Sequence, residues 1–544
     1  MRIDHQRIDS HADERLAVHA GHAERLEAFR GFLKLETRRL RTRHRFGLGG
    51  VEIAAGRAYL VDLVVKRAFQ TASVPGESGP ALAVAAIGGY GRGELAPHSD
   101  VDLLFLHDGQ SASQAQALVE QMLVLLWDVG LRVGHSFRSV GDCLAMARRD
   151  LHSRNAMAEA RQIVGDAELF SGFEQALERS VYRSGRLTEG FVEEMRHEWQ
   201  QRRERFGHVV CVLEPNVKEG AGGLRDLHTV SWLARVKLGC RGLQGLRSQG
   251  IVSEAEAQGL SRCYDFLSRV RNEAHFTTGR CTDILSLDLQ PTLAAQLGYG
   301  PRRGLRPSEL LMRHYYRRAN GLLATCEGVL ERLWGPRPRR RILGVTPFGR
   351  MGGFEVHGGR LQTRPGASTG ETDPYWLFDL FEAAQQAEVP LSKELSLLVR
   401  ERLRLVDRRF RCAARTGREL MRILGRPGHV AASLRQMHEA GFLSRLLPEF
   451  GFITFLVQHD HYHRFTIDEH TLEAVAALDA AASAEEGPLL PFARAMSEVE
   501  HPATLYLGLL LHDIGKGRGG GHVPKGAQIA ERVCRRLGLE ERET

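Results

Sequence analysis

Gly88-Gly89-Tyr90-Gly91-Arg92-Gly93-Glu94 closes a short apolar run, and eleven residues past Gly89 the chain reads Asp100-Val101-Asp102. The whole stretch, 88–106, is GGYGRGELAPHSDVDLLFL, and it decides the fold class. Ala81–Ile87 is apolar and stops at paired glycines, the pattern of a buried strand. Val101–Leu106 is a second such run, so Asp100 and Asp102 open a strand. Residues two apart on a strand point to one face, which sets these carboxylates side by side. Paired hard oxygens suit Mg²⁺ and leave positions for water and phosphate oxygens. The glycines let backbone amides approach phosphates at the helix start that follows. Nucleotidyl transfer needs both devices: positioning, and a metal that neutralises developing charge. A glycine-rich turn followed by a solvated acidic turn is the plainer reading. The strand, the Gly-Gly pair, the gap and the second strand together argue against it.

Working outward, Val51–Phe69 reads as a helix, 71–79 as a loop of small residues, Ala112–Trp127 as an amphipathic helix and Leu131–Val140 as a third strand. That order is an α/β head inside an α+β multi-domain chain. Residues 12–45 are charged and helix-prone, 172–333 are helical in period, and 335–341 form a basic, proline-containing linker. Phe354–Thr363 alternates around Gly358-Gly359, a hairpin signal, and from Pro374 the helical period resumes. The expected division is an N-terminal helical lead (1–45), a nucleotidyltransferase domain (46–170), a helical domain (171–340), a linker hairpin with a helical segment (341–440) and a second catalytic domain (441–544).

Composition bounds the rest. With 544 residues the chain is too long for one core. A net charge of +8 fits an anionic substrate such as a nucleotide, and nucleic-acid binding is not expected from it. The eight cysteines form no CxxC pair, as in reduced thiols. The first thirty residues are rich in His, Asp, Glu and Arg, unlike a secretory signal. No apolar run is long enough to span a membrane, so a cytoplasmic protein is expected.

A second constellation lies near the end. Asp468-Glu469-His470 begins a helical pattern, the apolar stretch Leu505–Leu511 leads into His512-Asp513, and Gly519-Gly520-Gly521-His522 follows. Imidazoles and a carboxylate converging from neighbouring helices make a divalent-metal site. Such a metal acidifies a bound water and aligns it on phosphorus. His470, His512 and Asp513 are the expected ligands of Mg²⁺ or Mn²⁺, and Lys516 and His522 the candidates for phosphate or second-metal contacts. The stretch 459–463 is also histidine-dense and could be mistaken for the metal site.

Residues 88–106 resemble the polymerase-β-like nucleotidyltransferases, and within them the bacterial bifunctional uridylyltransferase/uridylyl-removing enzymes of nitrogen regulation. Glu214–Thr229 (EPNVKEGAGGLRDLHT), Arg269–Arg280 and Leu311–Ala319 resemble the same family. HDIGKG, at 512–517, resembles the HD phosphohydrolases. The resemblance implies that Gly88, Gly89, Arg92 and Ser99 bind nucleotide and that Asp100 and Asp102 are catalytic and ligate Mg²⁺. It implies transfer of UMP from UTP to a tyrosine of the PII protein, with removal at the HD site. Lys218 and Arg225 could also reach a triphosphate. A third carboxylate is usual in the superfamily; the third strand has none, and Asp128, Asp142 and Glu159 stay open. No Asp follows Asp513, although the HD family closes its site with a later one, and two glutamine-sensing ACT modules of the relatives are absent from the sequence. The expectation is a C-terminally truncated member with impaired hydrolysis and no glutamine control.

Three rivals remain. A tRNA CCA-adding enzyme also joins such a head to an HD-like tail, but would lack the string at 214–229. A guanosine tetraphosphate synthetase/hydrolase carries its hydrolase first. A dead head that only senses nucleotide would bind without turnover.

Overall fold

The computed structural model describes residues 3–16, 21–73, 79–183, 185–302, 304–334, 353–457, 465–519 and 521–539. The expected linker at 335–341, the histidine-dense stretch 459–463, Gly520 and most of the 71–79 loop lie outside them. The chain forms two compact units. One comprises residues 1–210, 214–300 and 314–335, the other 211–213, 301–313 and 336–544.

In the first unit α1 (His22–Arg45) and α2 (Gly50–Ala72) precede β1 (Leu82–Ala86). β2 (Val101–His107), α3 (Ala112–Asp128) and β3 (Val133–Ser139) follow, each within three residues of its expected ends. The sheet order is β3-β2-β1-β4, where β4 (Arg161–Gly165) is a strand that the sequence reading missed. β1 lies antiparallel between β2 and β4, while β2 and β3 run parallel across α3. β1 is therefore buried along its whole length, which is why it reads as an unbroken apolar run. β4 escaped notice because Arg161 and Gln162 break its apolar pattern and it pairs on one side only. The expected α+β class holds: a mixed sheet backed by helices, followed by helices alone. Two of those helices, α4 (Leu224–Leu238) and α5 (Glu254–Thr278), carry side chains that reach the sheet's functional end.

The second unit opens with the expected hairpin, β5 (Phe354–His357) and β6 (Arg360–Thr363). Its turn residues Gly358 and Gly359 have φ of 60° and 76°, the left-handed pair of a tight two-residue turn. Helices follow, among them α6 (Val430–Glu439), α7 (Ile467–Ala482), α8 (Pro502–Leu511) and α9 (His522–Leu537). Their apolar faces share one core that includes Leu434, Leu472, Val475, Leu510, Ile514 and Val533. Asp479 of α7 accepts from the backbone of Gly428 and Ala431 at 2.8 and 2.6 Å and from Tyr506 Oη at 2.5 Å, tying α7 to the start of α6 and to α8. Among the described residues, no helix is long and apolar enough to cross a membrane.

Candidate functional sites

β2 is buried at every position from Val101 to Leu106 except Asp102, which stands exposed at its open end. Asp100, one turn of the pleat earlier, is 63% exposed, with Arg132 Nε 3.2 Å from its Oδ1. The same-face placement expected from the spacing is realised. Burial first, and then the neighbouring Asp100, push the Asp102 carboxyl above its usual range; Lys218 pulls the other way. Two like charges held together without a full counter-charge suit a divalent cation.

The glycine turn is built for close approach. Gly88 has φ +58°, and a Cβ there would meet Asp102 Oδ2 at 3.9 Å. A Cβ on Gly91 would fall 2.2 Å from the carbonyl oxygen of Glu159, so only glycine fits. Tyr90 anchors the turn from below, donating to Asp62 Oδ1 at 2.8 Å. Arg161 grips the same carboxylate with both terminal nitrogens, at 2.8 and 3.0 Å. Gly89 closes the turn by accepting from the Glu94 amide.

Arg92 and the three candidates for a third carboxylate are placed as follows. The Arg92 guanidinium is committed to Glu94 at 2.9 Å and to Glu159, so it fixes the turn instead of facing open solvent. Burial works against its charge, but Glu159 and Glu94 outweigh burial and hold it protonated. Glu159 also accepts from Trp232 Nε1 at 2.7 Å. Asp142 closes a capping box with Ser139, and Asp128 ends α3, 3.9 Å from His22. The cleft that carries Asp100 and Asp102 is lined by Trp127, Gly130, Leu131, Arg132, Val133 and Gly134, and by none of the three candidates.

The string at 214–229 divides into supporting and facing residues. Asp226 is fully buried and holds Arg202 at 3.0 Å, Arg203 at 2.8 Å and the Gly222 amide at 2.9 Å. Lys218 lies near Asp102 in a basic surrounding: burial, then Arg271 and Arg225, keep its ammonium below the ordinary lysine range. Burial and the surrounding cations, Arg92 foremost, keep His228 neutral, and its Nε2 sits 2.7 Å from Tyr264 Oη, which donates to Glu94 at 2.6 Å. Ser99 accepts from Arg271 Nη2 at 3.4 Å, and Arg271 Nε binds Asp283 Oδ1 at 2.7 Å. Val217 donates its amide to the Asp283 carbonyl at 2.8 Å, so one segment positions both Lys218 and Arg271. His275 accepts the His98 amide on Nδ1 and faces Asp283 through Nε2 at 3.4 Å. Tyr264, Arg271 and Asp283 had no signal in the sequence beyond lying in or beside a family-like stretch.

In the second unit the structure brings together His470, His512 and Asp513, with one ligand atom of each within 4.8 Å of the others. Their neighbours face inward. Asp468 is fully buried against His438 at 3.2 Å and Glu469 against Arg435 at 2.6 Å, so of the triplet His470 is left toward His512. His512 directs Nδ1 to the Leu509 carbonyl at 2.7 Å, which leaves Nε2 facing the cluster, 3.2 Å from Asp513 Oδ2. Lys516 Nζ lies 2.8 Å from the same oxygen. Burial pushes the Asp513 carboxyl up, but His512 and Lys516 outweigh it and hold it well below the usual carboxylate range. His512 is raised in turn, chiefly by its hydrogen bond to Asp513. His522 opens α9 and is outside the cluster.

Residues 190–330 match the GlnD PII-uridylyltransferase family, 354–446 the third domain of uridylyltransferase GlnD, and 467–544 the HD domain. Two stretches of the chain are thus similar to GlnD uridylyltransferase domains and a third to the HD domain. It is 36% identical over 500 residues to the bifunctional uridylyltransferase/uridylyl-removing enzyme of Azospirillum brasilense, covering 89% of this chain and 52% of the relative. The proteins of that name from Rhodospirillum rubrum (36% identity, 91% and 54%) and Cereibacter sphaeroides (38%, 85% and 50%) are similar. The chain spans about half the length of the curated relatives it matches.

Proposed function

We propose that the first unit transfers UMP from UTP to a tyrosine hydroxyl of the PII protein, and that the HD site hydrolyses that bond, in the cytoplasm. The observation that carries the reading is the exposed Asp100–Asp102 pair set against a glycine turn and the cations of 218–271. The triphosphate lies along Gly88 and Gly89, with Lys218, Arg225 and Arg271 compensating its charge. Arg92 acts through the turn, and Ser99 through Arg271. The tyrosine oxygen attacks the α-phosphorus, the bond to pyrophosphate breaks opposite it, and the phenolic proton leaves through the open cleft. A divalent cation, Mg²⁺ in this reading, held by Asp100 and Asp102 would neutralise charge on the phosphoryl oxygens and acidify the acceptor hydroxyl. At the HD site His470, His512 and Asp513 would hold Mg²⁺ or Mn²⁺, which would supply an activated water, and Lys516 beside Asp513 and His522 at the start of α9 would contact the phosphodiester.

The deciding experiment incubates the chain with PII protein and each of labelled UTP, ATP, CTP and GTP. Label from UTP becoming covalent well ahead of the others supports the reading. Equal labelling from ATP overturns the uridine assignment, and tight binding without labelling returns the nucleotide-sensing alternative.

A further inference from the structure

The carboxylate of Asp102 stands between two glycines from different elements. On one side is Gly88 of the turn; on the other is Gly134 of β3, its register partner across the parallel pair. A Cβ on Gly134 would sit 2.7 Å from Asp102 Oδ1, so a side chain there would close that flank. The two flanks differ in chemistry. The Gly88 flank is where Arg92, Glu94, Tyr264, His228 and the cations of the 214–229 string gather. The Gly134 flank opens into a cleft of about 560 Å³, a size suited to a small group. Among the described residues Arg132 is its only cationic lining residue, and Trp127 forms part of its wall.

Trp127 is 47% exposed at the end of a helix whose residues Leu118, Met122, Leu123 and Leu126 are buried. Val124, one turn earlier on the same face, is 50% exposed. His135 of the edge strand meets the indole edge-on, with ring centroids 5.8 Å apart, and holds it at the cleft. A half-exposed indole beside an apolar neighbour is the kind of anchor that protein partners bury.

In-line displacement separates the two substrates. The attacking and leaving oxygens lie on opposite sides of the phosphorus. If the triphosphate takes the cationic glycine-turn flank, the nucleophile must enter from the other. We propose that the cleft on the Gly134 flank is the acceptor subsite, in which Trp127 stacks the phenol ring of an incoming tyrosine and directs its hydroxyl to the Asp100–Asp102 edge. Val124 extends the contact to the peptide that carries the tyrosine. This inference rests on the transfer reading above and deepens it.

The test measures transfer from UTP to purified PII by the chain and by its Trp127→Ala and Trp127→Phe variants, and PII binding in the presence of a non-hydrolysable UTP analogue. Trp127→Ala should raise KM for PII roughly tenfold or more and weaken binding to match, with a much smaller change in KM for UTP. Trp127→Phe should recover most of the loss, because a ring is what the site uses. A rise in KM for UTP with that for PII unchanged would overturn the proposal and assign the indole to the uracil. No change in either would overturn it as well. The two readings fail separately. Transfer that proceeds normally without an indole or phenyl ring at 127 sinks the subsite alone. Ring-dependent binding of PII without any transfer sinks the catalytic reading alone. A parent chain that neither binds nor modifies PII sinks both.

Discussion

The two acidic sites handle charge in opposite ways. In the first unit Asp100 and Asp102 stand exposed, with one arginine touching Asp100, and burial and mutual repulsion raise Asp102. In the second unit Asp513 is nearly buried and already carries two partners, His512 and Lys516, which hold it low. The first site has unspent negative charge; the second supplies part of its own positive charge. The difference teaches that a carboxylate in a metal-like cluster is not by itself a vacancy for a cation. Its other partners decide how strongly an added ion must compete.

The largest effect expected is on the open pair. Asp102→Asn should lower kcat/KM for transfer by at least about a hundredfold, the scale of losing a group aimed at developing charge. In metal-free buffer it should cost no stability, because it removes a repulsion. Transfer at the parental rate would place the reaction elsewhere. Next comes the support of the glycine turn: Arg92→Met leaves Glu159 buried without its cation and should destabilise the first unit by about 3–5 kcal/mol, read from denaturant midpoints. A loss below about 1 kcal/mol would mean that Arg92 is not the strut described here.

At the closed cluster, Lys516→Gln removes the competing cation from Asp513 Oδ2, leaving His512 on that oxygen. Mn²⁺ affinity there should rise by roughly tenfold, about 1.4 kcal/mol, measured by titration calorimetry on an Asp100→Asn/Asp102→Asn background. Weaker binding would show that Lys516 orients Asp513 instead of competing for it. The smallest effect is a pH dependence. Burial pushes the Asp283 carboxyl up, but His275, Arg271 and Lys218 outweigh it and hold it well below its usual range. A depressed folded value means stability that is present above the unfolded pKa of about 3.9 and is lost as the pH falls from there toward the folded value. Asp283→Asn should therefore cost stability at pH 7, and its deficit should shrink at pH 3. An equal deficit at both would assign the loss to packing.

The sheet was legible because its chemistry is local. β1 is a fully apolar run, as a strand buried along its whole length must be, and β2 is apolar and buried from Leu103 to Leu106. The hairpin at 354–363 was legible from its two glycines, whose positive φ no other residue takes as readily. β4 was not, since its polar start hides a strand paired on one side only. The sequence offers Arg92 and Glu159 for separate tasks, nucleotide binding and metal ligation. They meet across 67 residues, and the ion pair that gives each its role is a long-range contact.

By itself the sequence determined what spacing determines: Asp100 and Asp102 on one face of a strand, a glycine turn just ahead, and His512-Asp513 at the end of an apolar helix. Backbone periodicity guarantees those neighbourhoods in any fold that keeps the elements. Tertiary structure decided which distant groups complete them. It set Gly134 against one side of Asp102 and Gly88 against the other, brought Lys218 within reach of Asp102 and Arg271 onto Ser99, and turned Asp468 and Glu469 inward so that His470 faces His512. Those choices follow from burial and from charges finding partners many residues away, and no local pattern records where such a partner will come from.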